Sequence, residues 1–130
     1  MDNSNSLTEI FGDYIITYTR AEAITDGVLI DVTETAKEAG FKYPVAITTA
    51  LHSMIADIPK KYDYQDYNGR LWDVLWMAML AARQSKSNQF NYQVIMNIIG
   101  TNKKYQTLKA ICSGGDNGEP VITIMLPNED

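Results

Sequence analysis

The last third of the chain alternates with a period of two. From Phe90 to Ile98, the side chains of Phe90, Tyr92, Val94, Met96 and Ile98 fall on one face. A helix cannot carry that pattern, whereas a half-buried strand requires it. Two further runs follow, Tyr105 to Cys112 and Pro120 to Leu126. In the second run Leu108, Ala110 and Cys112 alternate against Tyr105, Thr107, Lys109 and Ile111. Gly100-Thr-Asn-Lys103 and Gly114-Gly-Asp-Asn-Gly118 separate the runs. Glycine-rich turns between alternating runs predict an antiparallel meander of three or more strands.

Such a sheet must cover its apolar face, and the preceding residues supply helices. Thr19-Arg-Ala-Glu22 fits a capping box, and Gly27 fits a left-handed helix end, so residues 20–26 are expected to be helical. Val28 to Val32 reads as a strand, and Thr33 to Ala39 as a second short helix ended by Gly40. Ile47, Leu51, Met54, Ile55 and Ile58 recur at helical spacing and predict a helix from Pro44 to Asp57. Val45, Ile47, Thr48 and Thr49 are poor helix formers, so a short strand is the alternative for its first turn.

Gly69 to Arg83 is the third main helix, with Asp73 the one charge between Leu71 and Ala82. A helix that is apolar on every side is expected to be buried on most of them, or covered by another copy or a partner. The expectation is therefore one α+β domain over residues 1–130. N-terminal helices pack on a C-terminal antiparallel sheet, and residues 1–6 are disordered. Leu7, Ile10 and Phe11 fit one apolar helical turn, Tyr14 to Tyr18 a short β-rich run, and Lys60 to Asn68 a polar loop.

Composition narrows the function classes. Eleven Lys+Arg against 16 Asp+Glu give a formal charge of −5. A basic nucleic-acid footprint is missing, so no direct nucleic-acid contact is expected. The acids are scattered, which suits simple solubility, although carboxylates can also stand where phosphates would. Cys112 is the single cysteine and His52 the single histidine. No disulfide within the chain and no thiolate zinc site can form from these. No signal peptide and no membrane span are expected, so a cytoplasmic location follows.

Catalytic and cofactor signals are weak. His52 has no evident triad partners, and a packing or half-exposed role is the simpler one. Asp63, Asp66 and Asp73 miss the calcium-loop pattern, so no metal is expected. The glycines of 114–118 lie between two strands, where a hairpin turn is preferred to a phosphate cradle. Cys112, mid-strand among apolar neighbours, reads as an inert thiol. No catalytic residue and no cofactor are assigned.

The segment Tyr62 to Trp76 is the most informative. Tyr62, Tyr64, Tyr67, Trp72 and Trp76 interleave with Asp63, Asp66, Asp73 and Arg70. Trp72 and Trp76 are four apart and share one helix face. Tyr, Trp and Arg dominate protein–protein hot spots, while a core role for at least one tryptophan is the plainer reading. Candidate partner contacts are Tyr62, Asp63, Tyr64, Asp66, Tyr67, Trp72 and Trp76, with Asp57 as a further acid. A second set, Asp31, His52, Arg70 and Asp73, could line a polar pocket. Asp73 in an apolar helix is expected to find a partner, either Arg70 or a lysine from the sheet.

Four blocks resemble a known family. They are Tyr18 to Val32 (YTRAEAITDGVLIDV), Ala39 to Ala46 (AGFKYPVA), Gly69 to Ala78 (GRLWDVLWMA) and Gly118 to Pro127 (GEPVITIMLP). Together they resemble an uncharacterised family of small bacterial proteins found on plasmids, integrative elements and phages. The resemblance implies a mobile-element setting and no particular activity. Two functions from different classes are therefore expected. One is a non-enzymatic module that binds a host or element-encoded protein, for example an anti-restriction or anti-CRISPR inhibitor. The other is a small ligand-binding domain or enzyme with a pocket around Asp73. Self-assembly into a homodimer is compatible with both.

Overall fold

The computed structural model describes residues 18–58, 66–97 and 104–129. The expected disorder of residues 1–6, the Leu7–Phe11 turn, most of the Tyr14–Tyr18 run, most of the Lys60–Asn68 loop and the Gly100–Lys103 turn lie outside them.

Helix α1 spans Arg20–Thr25 and opens with the expected capping box. The Thr19 hydroxyl accepts from the Glu22 N–H at 3.0 Å, and the Glu22 carboxylate accepts from the Thr19 N–H at 3.1 Å. Gly27 ends the helix at φ 79°. The Val28 N–H reaches the Ala23 carbonyl and the Gly27 N–H the Ile24 carbonyl, the paired bonds of a Schellman end. Strand β1 (Leu29–Asp31) follows, then α2 (Thr33–Glu38). Gly40 repeats the same ending at φ 108°, with the Phe41 N–H on the Ala36 carbonyl.

The expected Pro44–Asp57 helix is divided. Val45–Thr48 is strand β2, and only Thr49–Ala56 is helix α3. The β-branched Val45 and Ile47 suit a buried strand. Thr48 then caps α3 by accepting from the Leu51 N–H at 3.3 Å. Helix α4 runs from Tyr67 to Gln84, and Asp66 caps it, accepting from the Gly69 N–H at 2.6 Å. Strands β3 (Gln89–Ile95), β4 (Tyr105–Gly114) and β5 (Pro120–Met125) complete the order.

The three last strands form the expected antiparallel meander. The whole sheet corrects the expected architecture. It has five strands in the order β1-β2-β5-β4-β3 and is mixed, because β2 runs parallel to β5. The helices are interleaved with β1 and β2 rather than gathered before the sheet. Non-local pairing of β2 with β5 leaves no local mark in the sequence, so periodicity alone does not reveal it.

One sheet face carries the core. Val45, Ile47, Ile124, Leu108, Ala110, Tyr92 and Val94 meet Ala36 of α2, Leu51 and Ile55 of α3, and Leu71, Val74, Leu75 and Ala78 of α4. Each fully buried aliphatic side chain there contributes about 1.5–3 kcal/mol. On the other face Arg20 donates to the Thr123 hydroxyl and the Ile122 carbonyl, both at 2.7 Å. Burial lowers the Arg20 pKa.

Candidate functional site: the seam between α4 and β3

Helix α4 turns back through Ser85–Asn88 into β3 and lies along this edge strand. The Tyr92 hydroxyl ties the two by donating to the Val74 carbonyl at 2.9 Å. Burial pushes the Tyr92 pKa far up. One side of α4 faces the core, and its outer side remains open. Trp76 is 41% exposed, and Met77 and Leu80 are exposed beside it. The expectation that this helix is buried on most sides is thus met on one side only.

Trp72 and Trp76 share a face, as their spacing predicts. Their rings stack with centroids 6.1 Å apart and planes 9° from parallel. Trp72 packs half-buried against the core, and Trp76 is the exposed member.

Two half-open grooves adjoin along the seam. One, of about 550 Å³, is lined by Asp66, Gly69, Arg70, Trp72, Asp73, Ile95, Met96 and Asn97. The other, of about 360 Å³, is lined by Asp73, Trp76, Met77, Gln93, Val94, Ile95 and Tyr105. Asp73 and Ile95 border both, so the grooves are direct neighbours.

Arg70 borders the first groove but is spent on the fold. Its side chain is 4% exposed. The guanidinium donates to the carbonyls of Met54 and Ile55 at 3.3 Å and of Asp57 at 3.5 Å, and also to that of Asn97. It therefore satisfies the open carbonyls at the end of α3, where a cation suits the helix dipole. Burial lowers the Arg70 pKa, and Asp57 partly restores it. Asp73 lacks the expected partner: no hydrogen bond or ion pair holds its carboxylate among the described residues. It remains exposed on its open side because its turn of α4 faces outward. Partial loss of water still raises its pKa.

The proposed pocket set is divided. Arg70 and Asp73 border the α4–β3 seam, whereas Asp31 and His52 line a different groove of about 410 Å³ with Thr33, Tyr67 and Leu71. There, His52 Nδ1 and the Tyr67 hydroxyl lie 2.7 Å apart, with rings edge to face. Burial raises the Tyr67 pKa. Asp31 accepts from the N–H and hydroxyl of Thr33, which serves the start of α2. Tyr62, Asp63 and Tyr64 lie outside the described residues. Asp66 caps α4, and Asp57 is exposed at the end of α3. Cys112 is half-buried on the core side of β4, paired with Ile122. Among the described residues, no three His, Cys, Asp or Glu side chains gather around a common point for a metal. Nor is any helix there long and apolar enough to cross a membrane.

Sequence reasoning missed the edge itself. Ile95 and Tyr105 are paired across β3 and β4, on the face away from the core, and are 64% and 57% exposed. The signal was present, since Gln89-Phe-Asn-Tyr-Gln-Val-Ile95 holds neither a charge nor a proline. Edge strands usually carry such residues to discourage pairing.

The class these observations define is an α+β protein with a mixed five-stranded sheet and an apolar seam beside the edge strand β3. The chain belongs to the family of unknown function DUF6573, whose model matches residues 5–130. No curated protein and no solved structure matches it.

Proposed function

We propose that this chain is a non-enzymatic interaction module that binds another protein along the α4–β3 seam. The observation that carries this reading is the exposed apolar group Trp76, Met77, Ile95 and Tyr105 beside an edge strand. Clustered apolar side chains on a surface mark contact sites, and tryptophan and tyrosine are the strongest anchors. Trp72, stacked behind Trp76, holds that ring in place at little entropic cost on binding. The narrower form of the proposal is a cytoplasmic inhibitor of host defence encoded on a mobile element. It rests on the resemblance of the four sequence blocks and on the acidic net charge.

The test is capture from host lysate on the tagged full chain, beside Trp76→Ala. One protein retained in stoichiometric amount by the native chain and lost by the variant is expected. Equal retention by both chains overturns the seam as the contact.

A second reading has one observation in its favour. Asp73 borders a groove large enough for a small ligand, and its pKa is raised there by lost hydration. Groups of this kind mark ligand sites in some proteins. It predicts thermal stabilisation by a small cationic metabolite that Asp73→Asn abolishes. A metabolite screen without any such shift removes it.

A further inference from the structure

The hydrogen-bond phase of β3 decides which of its backbone groups are open. The Cys112 N–H donates to the Asn88 carbonyl, and the Met96 N–H donates to the Lys104 carbonyl. In an antiparallel pair the bonded positions alternate. Phe90, Tyr92 and Val94 therefore bond to β4, and Asn91, Gln93 and Ile95 direct their N–H and C=O groups outward. Among the described residues these outward groups have no hydrogen-bond partner. The open groups lie beside Trp76, Met77 and Asp73, which border the same groove as Gln93 and Ile95.

We propose that the seam receives an extended segment of a partner protein, which adds as a sixth strand to β3 and carries a basic side chain facing Asp73. This deepens the interaction reading above and rests on it. Three features define the segment. The outward amides and carbonyls require an extended backbone without proline at the paired positions. The apolar wall of Trp76 and Met77 on the α4 side requires aliphatic or aromatic side chains at alternate positions. Among the described residues the acids Asp66 and Asp73 border the two grooves, no lysine does, and the Arg70 guanidinium is turned to four carbonyls. The charge to be matched is therefore negative.

A second copy fits the open backbone but not the charge. Its β3 has no charged residue, so self-pairing would cover Asp73 without bringing β3 cations to it. An unpaired carboxylate removed from water is costly.

The experiment selects displayed random peptides of about twelve residues, long enough to include a full strand, on the immobilised full chain. Enriched peptides are expected to alternate apolar and polar residues, to carry lysine or arginine, and to lack central proline. A synthesised winner is then titrated against three variants. Gln93→Pro removes an N–H that bonds nothing among the described residues, so the fold tolerates it while the added strand loses a partner. Loss of one or two strand bonds weakens binding about tenfold. Ile95→Lys guards against a misfolded proline variant, since it leaves every backbone bond intact and sets a cation on the edge. It is expected to weaken binding to a similar degree. Asp73→Asn is expected to weaken binding and to flatten its dependence on salt.

Absence of enrichment overturns strand addition, as does selection of acidic or helical-period peptides or unchanged binding by Gln93→Pro and Ile95→Lys. A lysate partner held by Gln93→Pro and Ile95→Lys but lost by Trp76→Ala would leave the interaction module standing without strand addition. A twofold mass in solution, abolished by Gln93→Pro, would assign the edge to a second copy and overturn the proposal.

Discussion

Trp72 and Trp76 stack 6.1 Å apart along one side of α4, and the pair bridges the core and the open seam. Trp72 is anchored among core side chains, while Trp76 has 41% of its surface free. The pair therefore joins a ring that serves the core to an exposed ring that serves the proposed contact.

Trp76→Ala is expected to alter stability by no more than about 1 kcal/mol, the worth of an exposed aromatic stack. Leu75→Ala, one residue away but fully buried, is expected to cost about 2–5 kcal/mol. Urea unfolding of both variants compares the two, and partner capture is expected to fail with the first at native stability.

Arg70 gives a second prediction. Among the described residues its guanidinium serves four carbonyls at the end of α3 and after β3. Arg70→Met leaves them short of donors and is expected to cost about 2–4 kcal/mol, each orphaned acceptor being worth about 1–3 kcal/mol if dry. Arg70→Lys is expected to recover less than half of the loss, because an ammonium lacks the planar fork. Full recovery by lysine in chemical unfolding would show that charge alone matters at this position.

Asp73 sets a pH dependence. Its folded pKa is raised above the ordinary 3.8 by lost hydration. For a raised carboxyl, the favourable contribution is fully present below 3.8 and is lost as pH rises through the folded value. At neutral pH the ionised Asp73 therefore weakens the fold. Asp73→Asn, neutral throughout, is expected to be the more stable chain at pH 7. The gap should close as pH falls below 3.8. Thermal unfolding across that range reads it; a gap that widens on acidification contradicts the hydration argument.

Two helix ends give a graded pair. Gly27 has positive φ with nothing near its missing Cβ, whereas at Gly40 a Cβ would lie 3.2 Å from the Met79 methyl. Gly27→Ala is expected to cost about 1 kcal/mol from backbone strain, with Gly40→Ala costing more. Equal losses in urea unfolding would mean that Met79 yields freely.

These same glycines explain what the sequence made legible. A capping box and a left-handed end are local codes, so α1 and α2 were readable from Thr19, Glu22, Gly27 and Gly40. The meander was readable because alternation and turn glycines are local too. Val45–Thr48 was ambiguous, since Ile47 and Leu51 satisfy a helical spacing across a strand–helix junction. The parallel partner of β2 lies far along the chain, and no spacing within 45–48 encodes it. The tryptophan pair was visible from its four-residue spacing, but which ring faces outward depends on where β3 ends beneath α4. The polar set around Asp73 dissolved for the same reason: α4 separates Asp31 and His52 from Arg70 and Asp73, a division that no local pattern contains.

Amide hydrogen exchange resolved to single residues tests the central claim most directly. In the free chain the N–H groups of Asn91, Gln93 and Ile95, without a partner among the described residues, are expected to exchange rapidly, beside slow Phe90, Tyr92 and Val94. Adding the captured protein or a selected peptide is expected to slow Asn91, Gln93 and Ile95 together. Protection that appears instead around His52 and Asp31, or leaves the α4–β3 seam unchanged, would contradict the account.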